Sequence, residues 1–211
     1  MPITINWILL ALALALLFVP IAVFHGERVR YRALMRDWDG YWGRTLTLGL
    51  HAIDLLRSML GVWLLAEALR RAPEAQGALR YAAVAAQGGV LCVATLLQAA
   101  FCKEPETAHA PFAFVIGLTL VHVPPPVAGF SLVLASALAL GANAPAGFFP
   151  VLALGVVGTG FLFEGKKLVL ECAVLAVAIL IPWLFTLLFP RHFVCSYRAK
   201  RRTEPPPPPP R

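Results

Sequence analysis

Residues 111–141, PFAFVIGLTLVHVPPPVAGFSLVLASALALG, form one apolar block whose reading decides how often the chain reverses direction. As a single helix the block would be about 46 Å long, well beyond the roughly 30 Å of hydrocarbon in a bilayer. Pro124, Pro125 and Pro126 stand inside it, and three consecutive prolines remove backbone donors and clash with the preceding turn. The block therefore reads as two short helices, over 109–123 and 126–142.

Five further apolar runs flank this pair, over residues 4–24, 46–69, 81–101, 147–163 and 168–189. The whole chain has 211 residues, 59% of them hydrophobic and 14% charged. Soluble domains average about 45–50% apolar and about 25% charged residues, so the composition excludes an ordinary soluble fold. The expectation is an all-α, polytopic transmembrane bundle of about seven spans over residues 1–190, with a basic, proline-rich tail over 191–211. At this length no separate soluble domain is expected beyond the tail.

Charge sets the expected orientation. Lys and Arg accumulate on the cytoplasmic side, and the two richest segments are 25–44, with Arg28, Arg30, Arg32, Arg36 and Arg44, and the tail, with Arg191, Arg198, Lys200, Arg201, Arg202 and Arg211. Both face the cytoplasm only if an even number of spans separates them. Seven spans with the N-terminus outside satisfy this, placing twelve Lys and Arg inside and five outside, with Arg57 left within a span. Five spans, with 111–163 partly re-entrant, satisfy the same rule and stand as the alternative. The opening MPITINW lacks the positive n-region of a secretory signal, so the first run reads as an uncleaved anchor in a multi-pass protein of the cell membrane.

Residues 25–44 mix arginines with Tyr31, Trp38, Tyr41 and Trp42, a pattern suited to an interfacial connector touching anionic headgroups. The tail, RAKRRTEPPPPPPR, cannot bury a core and reads as disordered, its six prolines extended over about 19 Å. Its basic cluster suits anionic lipid, and its PxxPx+ ending suits a protein partner with an aromatic-lined groove. No nucleic-acid partner is expected.

Most motifs favour structural readings. GVVGTG, residues 155–160, lacks the Lys and Ser/Thr of a phosphate loop and reads as close helix packing, as do Ser131, Ala135 and Ala139, spaced by four. Glu106 and His109 have the Glu-x-x-His spacing of a helical metal site, but as one copy in a loop. Asp37 and Asp39 form a carboxylate pair without a third ligand. Cys92, Cys102, Cys172 and Cys195 lack CxxC spacing and read as reduced thiols. Neither a cofactor nor a metal is expected.

One segment carries chemistry. In LGLHAIDLLRSMLG, residues 48–61, a turn of about 100° per residue places His51, Asp54, Arg57, Ser58, Gly61 and Thr47 within one arc of about 120°. Leu48, Ala52, Ile53, Leu55, Leu56, Met59, Leu60, Val62 and Trp63 are read as the apolar side, and only Leu50 and Leu65 interrupt the polar stripe. Asp or Arg at a helix centre costs about 2.5–3.5 kcal/mol each on insertion scales unless paired or hydrated, and Asp54 and Arg57 stand at i, i+3, where they can pair. His51 is one turn away, within reach of a hydrogen bond to Asp54. The site residues expected here are His51, Asp54, Arg57 and Ser58, either a structural ion pair or part of a proton, ion or polar-solute path. No nucleophile with a matched base is visible, which points away from an enzyme. A small transporter or proton- or ion-coupled carrier leads, and a non-catalytic membrane assembly or scaffold component is the alternative.

Overall fold

The computed structural model describes residues 5–20, 27–30, 49–69, 78–101, 107–142, 144–165, 168–189 and 191–197. Thr47, Asp37, Asp39, Cys102, Glu106 and the tail from 198 onward lie outside these residues, as does most of 25–44.

Among the described residues, seven α-helices fall on the seven apolar runs: α1 (Trp7–Phe18), α2 (Gly49–Ala68), α3 (Ala78–Ala100), α4 (Phe112–His122), α5 (Pro125–Gly141), α6 (Phe148–Glu164) and α7 (Val169–Leu188). Two of them contain segments long and apolar enough to cross a membrane, Tyr81–Ala100 in α3 and Val169–Leu188 in α7.

The proline block behaves as its chemistry requires. Val123 is extended, Pro124 follows at φ −55° and ψ 147°, and α5 begins at Pro125. The first positions of a helix have no intrahelical acceptor for their N–H groups, so prolines cost nothing there.

Proline also shortens α1. The sequence suggests an apolar run through residue 24, yet α1 stops at Phe18, with Val19 extended at φ −70° and ψ 115°. Pro20 is the cause, because a residue preceding proline is pushed out of the α region. At its other end Asn6 accepts a hydrogen bond from the Leu9 N–H and caps the helix. With 12 residues, α1 is about 18 Å long.

A three-stranded sheet, absent from the sequence-based expectation, gathers three distant segments at one end of the bundle. Its order is β1 (Glu27–Arg30), β3 (His192–Tyr197), β2 (Thr107–His109). β1 runs antiparallel to β3, pairing Glu27 with Tyr197 and Arg30 with Val194, while β2 runs parallel to it, pairing Thr107 with His192. The fold is all-helical as expected, with this small sheet added at one end. Residues 192–197, grouped with the tail by sequence, form the central strand.

The sheet fixes the sense of the helices. β1 follows α1, β2 stands between α3 and α4, and β3 follows α7. At the start of α6, Phe148 and Phe149 pack on Phe112 at the start of α4, with ring centroids 5.1 and 4.9 Å apart, and Phe149 reaches Phe193 of β3 at 5.4 Å. At the opposite end, the Asn6 N–H donates to the Ala68 carbonyl, joining the start of α1 to the end of α2. The described helices thus run alternately toward and away from the sheet end.

The main packing partners are α1 with α2, α2 with α4, α5 with α6, α6 with α7 and α3 with α7. Small residues permit close approach. Ser131, Ala135 and Ala139 are buried on α5, Ser131 Oγ lies 2.9 Å from Thr159 Oγ1 of α6, and a Cβ at Gly155 would stand 3.2 Å from that of Ser131. Gly155 and Thr159 thus belong to a helix contact, as expected for the GVVGTG segment.

Candidate functional site

α2 presents the polar face anticipated from its sequence. Asp54 is 1% exposed, Arg57 9% and Ser58 0%, whereas Ala52, Ile53, Leu56, Leu60 and Trp63 are exposed. Val62, read as part of the apolar side, is buried: eleven residues on from His51 it stands about 20° past it, at the edge of the polar arc, where α2 packs between α1 and α4.

Asp54 and Arg57 form an ion pair, Nη2 donating to Oδ1 at 2.5 Å. The second arm of the guanidinium, Nη1, donates to the carbonyl oxygen of Val19, just past the end of α1. Beneath it lies Phe114 of α4, its ring centroid 5.5 Å from the Arg57 Cζ. A planar cation over an aromatic face is attracted by the ring quadrupole. Ser58 Oγ donates back to the Leu55 carbonyl at 2.8 Å, so its hydroxyl serves its own helix.

One more side chain, from α3, completes the site. Gln98, in the last turns of α3 and 1% exposed, donates from Nε2 to the carbonyls of Leu17 at 3.0 Å and Val19 at 3.1 Å. The final carbonyls of a helix lack intrahelical donors and carry the negative end of its dipole. Here donors from α2 and α3 reach two of them.

His51 is placed differently from expectation. Among the described residues it makes no hydrogen bond to Asp54, whose partner is Arg57, and its buried Nε2 has no partner. The i+3 guanidinium outcompetes the imidazole because a charge-assisted bond is the stronger one.

Outside this site, His109 sits in β2 and is 2% exposed. A strand does not give the one-face geometry that makes Glu-x-x-His a helical metal motif, so that reading loses its premise. Cys92 is half-buried and Cys172 buried, both free thiols.

No protein-family model matches this chain, and neither a curated protein nor a solved structure does.

Sequence reasoning missed Gln98 and Val19. Gln98 carried a signal, a carboxamide ending an otherwise apolar stretch. Val19 contributes only a backbone carbonyl, and its role becomes readable only once Pro20 is recognised as ending α1.

Proposed function

We propose that the chain is a multi-pass integral protein of the cell membrane, with all seven helices embedded, the sheet end cytoplasmic and the N-terminus outside. The helix faces turned away from the bundle support this reading: Ile8 is 75% exposed, Leu154 75% and Leu162 78%. Apolar surface of that extent on several helices suits lipid. β1 and β3, from the two basic segments, share one edge-to-edge pairing, in keeping with the even number of spans the charge pattern demands.

Within that protein, we propose that Asp54 and Arg57 form the working site of a small proton- or cation-coupled carrier. The observation that carries this reading is a buried acid–guanidinium pair joined to the carbonyl just past the end of α1. Replacing a buried ion pair by apolar residues is often neutral or stabilising by about 1–4 kcal/mol. Stability alone is therefore a poor reason for the pair to be there. Helix ends whose carbonyls face the bundle interior also recur at ion sites in carriers; here those of Leu17 and Val19 are held by Gln98 and Arg57. In this reading Asp54 accepts the ion, Arg57 is its tethered counter-charge, and His51, with an unpartnered buried nitrogen, relays a proton.

Reconstitution into liposomes tests the reading: the wild-type protein moves protons or cations, and Asp54→Asn remains folded but does not. A folded Asp54→Asn protein with wild-type flux refutes it. A second reading, a non-catalytic assembly component, is favoured by the bond from Arg57 to the Val19 carbonyl, which makes the pair a clamp between α1 and α2.

A further inference from the structure

The surroundings of the Arg57 guanidinium are specific in chemistry as well as charge. Its two terminal nitrogens reach acceptors of different kinds on different segments, a carboxylate on α2 and a main-chain carbonyl past the end of α1. The third wall is the Phe114 ring, 5.5 Å from Cζ. The Val19 carbonyl also accepts from Gln98 Nε2 at 3.1 Å, using its second lone pair.

We propose that this cage is a recognition site for planar guanidinium or amidinium cations, with Arg57 as its resident, and that the solute handled by the protein carries such a group. A rigid fork of N–H donors matches two separated acceptors, and its flat face matches an aromatic ring. An alkali-metal ion fits poorly. It takes several oxygens around one point, whereas this cage has a phenyl wall and the N–H of Gln98 on one of its oxygens. An ammonium is compact and strongly hydrated, so it lacks the flat, weakly hydrated face that stacks.

Exchange between the resident and a free guanidinium keeps Asp54 paired throughout, and requires the displaced Arg57 guanidinium, which cannot shed its charge, to be solvated outside the cage. No step leaves the carboxylate buried alone, the arrangement that makes buried charge costly. The step from cage to transported solute rests on the carrier reading above; the selectivity of the cage does not.

The test uses the full chain in detergent, with thermal unfolding as the readout. Arg57→Ala empties the cage while leaving Asp54, Val19, Gln98 and Phe114 in place. Its unfolding temperature is expected to fall, and millimolar guanidinium chloride is expected to raise it again, far below the molar range in which that salt denatures proteins. Methylguanidinium and benzamidinium act likewise. Sodium chloride at the same ionic strength, tetramethylammonium and the neutral planar urea do not. The Asp54→Asn, Arg57→Ala double variant, lacking the carboxylate, does not respond to guanidinium.

If Arg57→Ala yields folded protein only when guanidinium is present during purification, that too supports the cage. If it yields none in either buffer, Arg57→Gln is scored by the same comparison. An equal response to sodium, or no response to guanidinium in whichever variant folds, overturns the proposal. The carrier reading fails separately: guanidinium rescues the variant, yet wild-type liposomes move neither protons nor any cation.

Discussion

Gly117 of α4 lies directly against Ser58 of α2. A Cβ at position 117 would overlap Ser58 Oγ and stand 2.7 Å from the Leu55 carbonyl oxygen, the same oxygen that accepts the Ser58 hydroxyl at 2.8 Å. The two helices approach this closely because residue 117 has no side chain, and the approach brings Phe114, one turn earlier on α4, over Arg57. Packing and site are thus coupled at one glycine.

Gly117→Ala is therefore expected to destabilise the detergent-purified protein by about 1–3 kcal/mol, the usual cost of overpacking a full core. Gly129 of α5 supplies the contrast, since nothing lies within 4 Å of a Cβ there. Gly129→Ala gains helix propensity without a clash and should be neutral or slightly stabilising. Equal effects of the two substitutions in thermal unfolding would contradict the close approach of α2 and α4.

Gln98→Leu removes the donor to two carbonyls at the end of α1. Leaving a buried acceptor unsatisfied costs about 1–3 kcal/mol. The Val19 carbonyl keeps its Arg57 donor, so the loss should lie toward the lower end of that range. Protection against hydrogen exchange, read by mass spectrometry, should fall most in the last turn of α1. Loss spread evenly over the bundle would argue against a local cap.

The sheet sharpens an orientation test. Reporter fusions after residues 44 and 200 should report the same side, and a fusion near residue 75 the opposite one. Because β2 pairs with β3, a fusion near residue 104 should join the first two. Opposite locations for 44 and 200 would refute both the seven-span and the five-span arrangements.

The tail divides at the end of β3. Deleting 203–211 removes the proline run and should barely change thermal stability. Deleting 192–211 also removes the central strand, to which both other strands are bonded, and should lower it markedly. Equal stability of the two truncations would mean the strand contributes nothing.

The helices and the polar stripe were legible in the sequence for different reasons. Apolar runs survive as helices because both follow from local composition, and the His51–Ser58 arc follows from helical periodicity alone. The sheet was not legible. Its strands span only 3 to 6 residues, too few for a period-2 pattern to show, and their partners are far apart in sequence. The end of α1 was missed because hydropathy ran on through Pro20, where backbone sterics instead decide. His51 was expected to bond Asp54 by spacing, and spacing cannot rank an imidazole against a guanidinium on the same turn.

The Asp54–Arg57 pair yields the sharpest stability prediction, because the two single substitutions leave unequal remainders. Removing one member of a buried pair costs about 3–5 kcal/mol, since it strands the other's charge. Arg57→Met leaves a carboxylate, which can neutralise itself by taking a proton. Asp54→Leu leaves a guanidinium, which cannot shed one, and which then rests only on the Val19 carbonyl and the Phe114 face. Asp54→Leu should therefore be the more damaging change, and the double variant should recover much of either loss. Thermal and denaturant unfolding of the four proteins completes the cycle. Additive losses in the double variant would show that the two charges are solvated independently, and would remove the ion pair from both the carrier and the clamp accounts.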